Sequence, residues 1–212
     1  MVRLSFLILV LCSINTTRAD FIPKKLYNVV LTAKHVVSGE IVCVDDLVFE
    51  MRIEQSSGEI DKILTIRKFK DWICHKRWTK YHIGQQLMVF LNEDEEGYYP
   101  IGSGNEGELP IIGNTVYLNY TTIPNSFGHY IALKSKPEFV NYDSGAYLGY
   151  PLKLEFLWSY VLNLRNCITY QIGDFNKITS TNFTCSLEIQ NTLQNEHKLY
   201  KWTFETILKQ NQ

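Results

Sequence analysis

The chain has little cysteine, almost no net charge, and no apolar run beyond its first residues that is long enough to cross a bilayer. A spanning helix needs about 20 consecutive apolar residues, and the run at residues 87–91 falls far short of that. Lysine and arginine number 21 against 22 aspartates and glutamates, a net charge of -1. So even a balance gives no overall field to gather nucleic acid or anionic lipid, and no nucleic-acid partner is expected. Three catalytic or cofactor signatures are also missing: a glycine-rich phosphate loop ending in lysine, a Gly-x-Ser-x-Gly elbow and a paired-cysteine zinc module. Their absence argues against a P-loop nucleotide hydrolase, an elbow-type serine hydrolase and a zinc-finger fold. No cofactor is expected. What remains is 45% apolar and 20% charged residues in 212, the composition of an ordinary globular protein with one good-sized domain or two small ones.

The first 19 residues have the layout of a secretory signal: Arg3, an apolar stretch over residues 4–11, then Thr17-Arg18-Ala19 ahead of a cut. The mature chain is expected to begin near Asp20 and to be exported, to a periplasmic or extracellular location. Cys12 lies inside that segment, and Leu11 occupies the place where a lipoprotein signal needs a small residue. Cys43, Cys74, Cys167 and Cys185 remain, an even number that fits two disulfides in an exported protein. Three pairings are open. Cys43–Cys74 and Cys167–Cys185 keep each bridge within one half of the chain, and buried free thiols are the alternative. Asn119-Tyr120-Thr121 and Asn182-Phe183-Thr184 are N-glycosylation acceptors in a eukaryotic host.

Periodicity predicts strands at residues 35–44, 47–54, 60–69, 87–91, 98–101 and 116–120. Leu47, Phe49, Met51 and Ile53 share one face of the second, opposite Glu50, Arg52 and Glu54. Residues 87–91 are apolar on both faces and read as a central strand. Five or six short strands at this rhythm suggest a small antiparallel barrel over residues 20–120. Residues 71–82, with Trp72, Ile73, Trp78 and Tyr81 at roughly helical spacing, read as a short helix or loop plugging one end. Residues 102–107 read as a glycine-rich connection, and Pro110 then limits regular pairing. Residues 121–151 read as a long ordered surface segment, and two amphipathic helices follow at 152–164 and about 194–209. Between them, residues 167–172 and 183–189 are either a hairpin tied by Cys167–Cys185 or helix continuations. The expected class is therefore α+β: an OB-like barrel (20–120) followed by a mixed C-terminal lobe (121–212).

The order VVSGEIVCVDDLVFEMRIEQ, then YHIGQQLMVFL, then GYYPIGSGNEGELPI resembles secreted OB-type domains of the tissue-inhibitor-of-metalloproteinase and netrin-like kind. It also resembles uncharacterised exported proteins of the Bacteroidetes. The likeness covers about residues 30–118. Those inhibitors reach their target's zinc with a cysteine at the mature N-terminus, and here that end is Asp20-Phe21. The resemblance thus implies the barrel without the inhibition.

The richest chemistry is a basic and aromatic stretch, in which Arg67, Lys70, Lys76 and Arg77 interleave with Trp72, Trp78 and Tyr81. Such a surface grips polymers by charge pairing and ring stacking. In an exported protein the matching partner is a glycan or an envelope or extracellular protein. The competing reading makes the tryptophans core plugs and the cations a solvated rim. Ser103 between two glycines lacks the strand-to-helix setting of a nucleophile. Cys74, His75 and His82, with Cys43, match no metal spacing, and residues 93–96 lack a calcium loop's alternation. No catalytic or metal residue is assigned. A secreted binding module without catalysis is the leading expectation, with a glycan hydrolase using a carboxylate pair or a structural envelope component as alternatives.

Overall fold

The computed structural model describes residues 23–71, 76–102, 106–123, 137–142, 145–173 and 178–210. The signal-like segment lies outside them. Among the described residues no helix is long and apolar enough to cross a membrane.

The fold is α+β and is built on a closed five-stranded barrel. Its strands are β1 (His35–Val44), β2 (Val48–Ser56), β3 (Ile63–Arg67), β4 (Gln86–Asp94) and β5 (Gly97–Pro100). They pair in the order β1-β2-β3-β5-β4, and a β1–β4 seam of six residue pairs, His35↔Leu91 to Glu40↔Gln86, closes the ring. The expected alternation holds in β2, where Phe49 and Met51 are fully buried. It fails at Leu47, which is 71% exposed because it sits on the hairpin turn ahead of the strand. One seam departs from the antiparallel expectation: β3 and β5 run parallel, joined at Ile66↔Tyr98. A seam with so few ladder bonds gains from side chains across it. Arg67 pairs with Asp94 and Glu96 at 2.5 Å each and lies 4.9 Å from the Tyr99 ring.

Beyond β4 the sheet continues through β6 (Glu108–Ile112), β7 (Thr115–Asn119), β9 (Gly145–Lys153) and β8 (Glu138–Tyr142). The pairing is thus unbroken across residue 120. Two of these strands fall in the stretch read from sequence as a surface segment, and residues 124–136 and 143–144 of that stretch lie outside the described residues.

Helix α1 (Leu26–Thr32) buries Leu26, Tyr27, Val29, Val30 and Leu31. It packs with α2 (Leu154–Cys167), whose Trp158 donates to Ser38 Oγ on β1 at 3.2 Å. Every residue from Leu87 to Leu91 is at 0% exposure, so β4 is covered on both faces. Gly39 is required where β1 shifts register against β2, because a Cβ there would sit 2.0 Å from the Arg52 carbonyl oxygen.

The C-terminal part is a hairpin, β10 (Ile168–Ile172) with β11 (Ile178–Phe183), followed by α3 (Leu187–Glu196) and α4 (Lys198–Gln210). A single helix over 194–209 was the expectation; the chain instead breaks at His197, whose backbone is extended (φ -153°, ψ 137°). Cys167 and Cys185 form a disulfide. Cys43 is exposed and unbridged, and its expected partner Cys74 lies outside the described residues.

The two glycosylation motifs differ in exposure. Asn119 is buried, and its side-chain oxygen accepts from the Thr121 amide (2.8 Å) and the Thr121 hydroxyl (2.6 Å). Asn182 is exposed on β11. Secreted from a eukaryotic host, the folded chain is expected to carry an amidase-sensitive glycan on Asn182 and none on Asn119, read by peptide mass.

Candidate functional site

The connection from β3 to β4 contains no helix in its described residues, 68–71 and 76–85. Trp72 lies outside the described residues. The remaining predicted site residues divide by depth.

Arg77 and Trp78 face inwards. Arg77 Nε bonds Glu108 Oε2 at 2.6 Å, with side-chain exposures of 3% and 0%. Its other nitrogens donate to the Thr79 carbonyl (2.7 Å) and Gln85 Oε1 (3.2 Å), and its own amide donates to Asp71 (2.8 Å). Tyr81 completes the network, donating its hydroxyl proton to Glu108 Oε1 at 2.5 Å while accepting from the Phe69 amide at 2.9 Å. The Arg77 guanidinium lies 3.7 Å from the centre of the Tyr81 ring, which stacks on Phe49 at 4.8 Å. Burial, and the Glu108 charge next to it, push the Tyr81 phenol well above its ordinary range, so it stays a donor at any physiological pH. Both Glu108 oxygens are thus occupied, as a buried carboxylate requires.

Trp78 is 5% exposed and packs against Tyr142 (4.7 Å) and Tyr147 (5.4 Å), which come from β8 and β9. Close approach here depends on Gly145, where a Cβ would lie 2.1 Å from the Trp78 carbonyl oxygen. Tyr147 is raised far above its ordinary value, chiefly by burial, and Tyr142 is pushed up to about 12 for the same reason. Glu106, also buried, accepts the Lys24 amide at 2.7 Å and so ties the described N-terminal end to this layer.

The outward side is cationic. Lys70 and Lys76 are exposed, and Tyr81 is half-buried. Arg67 sits at the neighbouring edge, committed to Asp94 and Glu96, and its guanidinium draws the Asp94 carboxyl below its ordinary value. The structure therefore brings Arg77, Trp78 and Tyr81 together as one packed unit, with Lys70 and Lys76 on solvent. Glu108, the residue that organises the unit, carried no signal in the sequence, since it lies 31 positions from Arg77. Among the described residues no group of three or more His, Cys, Asp or Glu side chains is arranged to hold a metal ion.

No family model, curated protein or solved structure matches this chain.

Proposed function

We propose that this is an exported, non-catalytic binding module: an OB-like barrel over residues 20–120 with a C-terminal lobe over 121–212, presenting the β3–β4 connection to a glycan or an extracellular or envelope protein. The observation that carries the reading is the anchoring of that connection. Arg77–Glu108 and the Trp78 packing hold it from beneath, so Lys70 and Lys76 project from a fixed base, and pre-organised cations lose less entropy on binding an anionic partner. Arg77 and Trp78 act in this reading as supports and Arg67 stays with Asp94 and Glu96, while Lys70, Lys76 and the rim of Tyr81 supply the contact. The barrel's order, with β1 meeting both β2 and β4, fits the five-stranded OB type, in which one face of the sheet and its loops bind oligosaccharides or oligonucleotides.

A glycan hydrolase needs an acid and a base facing its substrate. The neighbouring buried carboxylates Glu106 and Glu108 are instead engaged by the Lys24 amide, and by Arg77 and Tyr81. That favours binding over hydrolysis.

The test is a binding screen of the purified chain against a glycan array and an envelope-protein extract, with Lys70→Glu/Lys76→Glu alongside. Each exposed pairing contributes about 0.2–1 kcal/mol, and reversal adds repulsion, so the affinity is expected to fall about tenfold or more with near-ultraviolet circular dichroism unchanged. Unaltered binding by the folded variant would move the site elsewhere. No binding by wild type would remove the reading.

A further inference from the structure

The break between α3 and α4 is made by a histidine, and its ring is part of the joint. His197 closes α3 through its amide, which donates to the Leu193 carbonyl at 3.2 Å, and opens α4 through its carbonyl, which accepts from Tyr200 at 3.0 Å. Its ring Nδ1 accepts the Leu199 amide proton at 3.0 Å. That is the bond an N-cap side chain makes to the second residue of a helix, usually with an Asn, Asp or Ser oxygen. The bond needs a lone pair on Nδ1, so the ring in this arrangement is neutral, with its proton on Nε2. The half-buried ring lies over Phe156 of α2 with centroids 4.1 Å apart.

We propose that His197 is a pH latch: the neutral ring holds the α3–α4 corner on α2, and protonation under mild acid releases α3 while α4 stays docked. Protonation puts a proton on Nδ1, so the capping bond becomes donor against donor, and the new charge sits at the positive end of α4. Burial against Phe156 disfavours the cation further, and lowers the ring's affinity for a proton. Glu196 on α3 works the other way, while Lys198 and Lys201 on α4 carry the same sign as the protonated ring.

The two helices are held very differently. Helix α4 buries Leu199, Tyr200, Thr203, Phe204 and Ile207, and is bonded to α2 through Tyr160–Thr203 (2.7 Å) and Asn163–Tyr200 (2.8 Å). Helix α3 buries Leu193 alone of its ten residues. It runs between the disulfide at Cys185 and the His197 corner, so loss of the corner leaves a covalently tethered flap whose release exposes Leu193 and the Phe156 ring. The sign follows from linkage: a ring whose proton affinity is lowered when docked binds more protons when open. Docking is therefore strongest above the ordinary histidine value of 6.5 and weakens as pH falls below it.

The test is amide hydrogen exchange of the full chain at pH 7.5 and pH 5.5, corrected for intrinsic rates. It compares residues 187–199 with the core of α2, in wild type, His197→Asn and His197→Ala. With titration at 6.5 in the open state, the opening constant of α3 is expected to rise by up to about tenfold in wild type. His197→Asn, which caps without titrating, should show no pH response, and His197→Ala should be open at both values. Because His35 is also lowered by burial, chiefly, the α2 core reports any global change separately. A wild-type α3 that does not respond, or an equal response in His197→Asn, would overturn the latch. So would an α2 core that opens together with α3.

Discussion

Replacing Arg77 with methionine is expected to cost about 3–5 kcal/mol, a large share of the 5–15 kcal/mol that holds a typical domain together. The loss comes mainly from the partner left behind. Glu108 is at 0% exposure, and without Arg77 its charge keeps the Tyr81 hydroxyl but no cation bonded to it among the described residues. Thr79 and Gln85 lose donors at the same time. The informative companion is Arg77→Met/Glu108→Gln. The amide keeps an oxygen for the Tyr81 proton and removes the charge, so the double variant should be more stable than Arg77→Met alone. Urea unfolding at pH 7, followed by near-ultraviolet circular dichroism, reads both. A cost below about 0.5 kcal/mol for Arg77→Met would mean that the connection does not rest on this pair, and the proposed lysine rim would lose its base.

The same network explains what the sequence could not disclose. Cations and aromatics alternating along residues 67–81 look alike whether they line a ligand face or plug a barrel. The deciding partner, Glu108, arrives on β6 after a separate strand pair, and no local pattern marks it. By contrast, β2 was legible because one face meets the core and the other water, so Phe49 and Met51 alternate with Glu50 and Arg52. Strand β4 was legible for the opposite reason, being covered on both faces. Helix α1 was missed because it is only seven residues long, with Asn28 and Thr32 alone marking its polar side, too few to set up a helical period. The other five residues of LYNVVLT are buried, and it carries no side-chain cap. Strand β6 was obscured by Pro110, which ordinarily breaks a ladder. Here β6 pairs with β4 only over Glu108–Pro110 and with β7 only at Ile111 and Ile112, so the missing amide at Pro110 interrupts neither ladder. The kink at His197 has neither glycine nor proline to announce it, and only the ring's capping bond shows why the helix stops there.

Removing the disulfide, by Cys167→Ala/Cys185→Ala, is expected to lower stability by about 3 kcal/mol, as the chain-entropy argument gives for a loop of this size. The bridge spans 18 positions and encloses the β10–β11 hairpin. Cys167 ends α2 and is itself buried, so the bond ties the hairpin directly to the helix whose Trp158 bonds Ser38 of the barrel. Other contacts share this task. The Thr184 amide bonds the Cys167 carbonyl at 2.8 Å, the Thr184 hydroxyl bonds the Asn166 carbonyl at 3.0 Å, and Phe183 packs edge-on to Phe204 at 5.2 Å. Those contacts form only once both ends are already close, which the covalent bond guarantees in the unfolded chain and they do not. The loss should therefore appear as a lower urea midpoint together with faster proteolysis within residues 173–196, while the barrel's near-ultraviolet signal is retained below the new midpoint. A change below about 0.5 kcal/mol would show that Thr184 and Phe183 alone fix the hairpin.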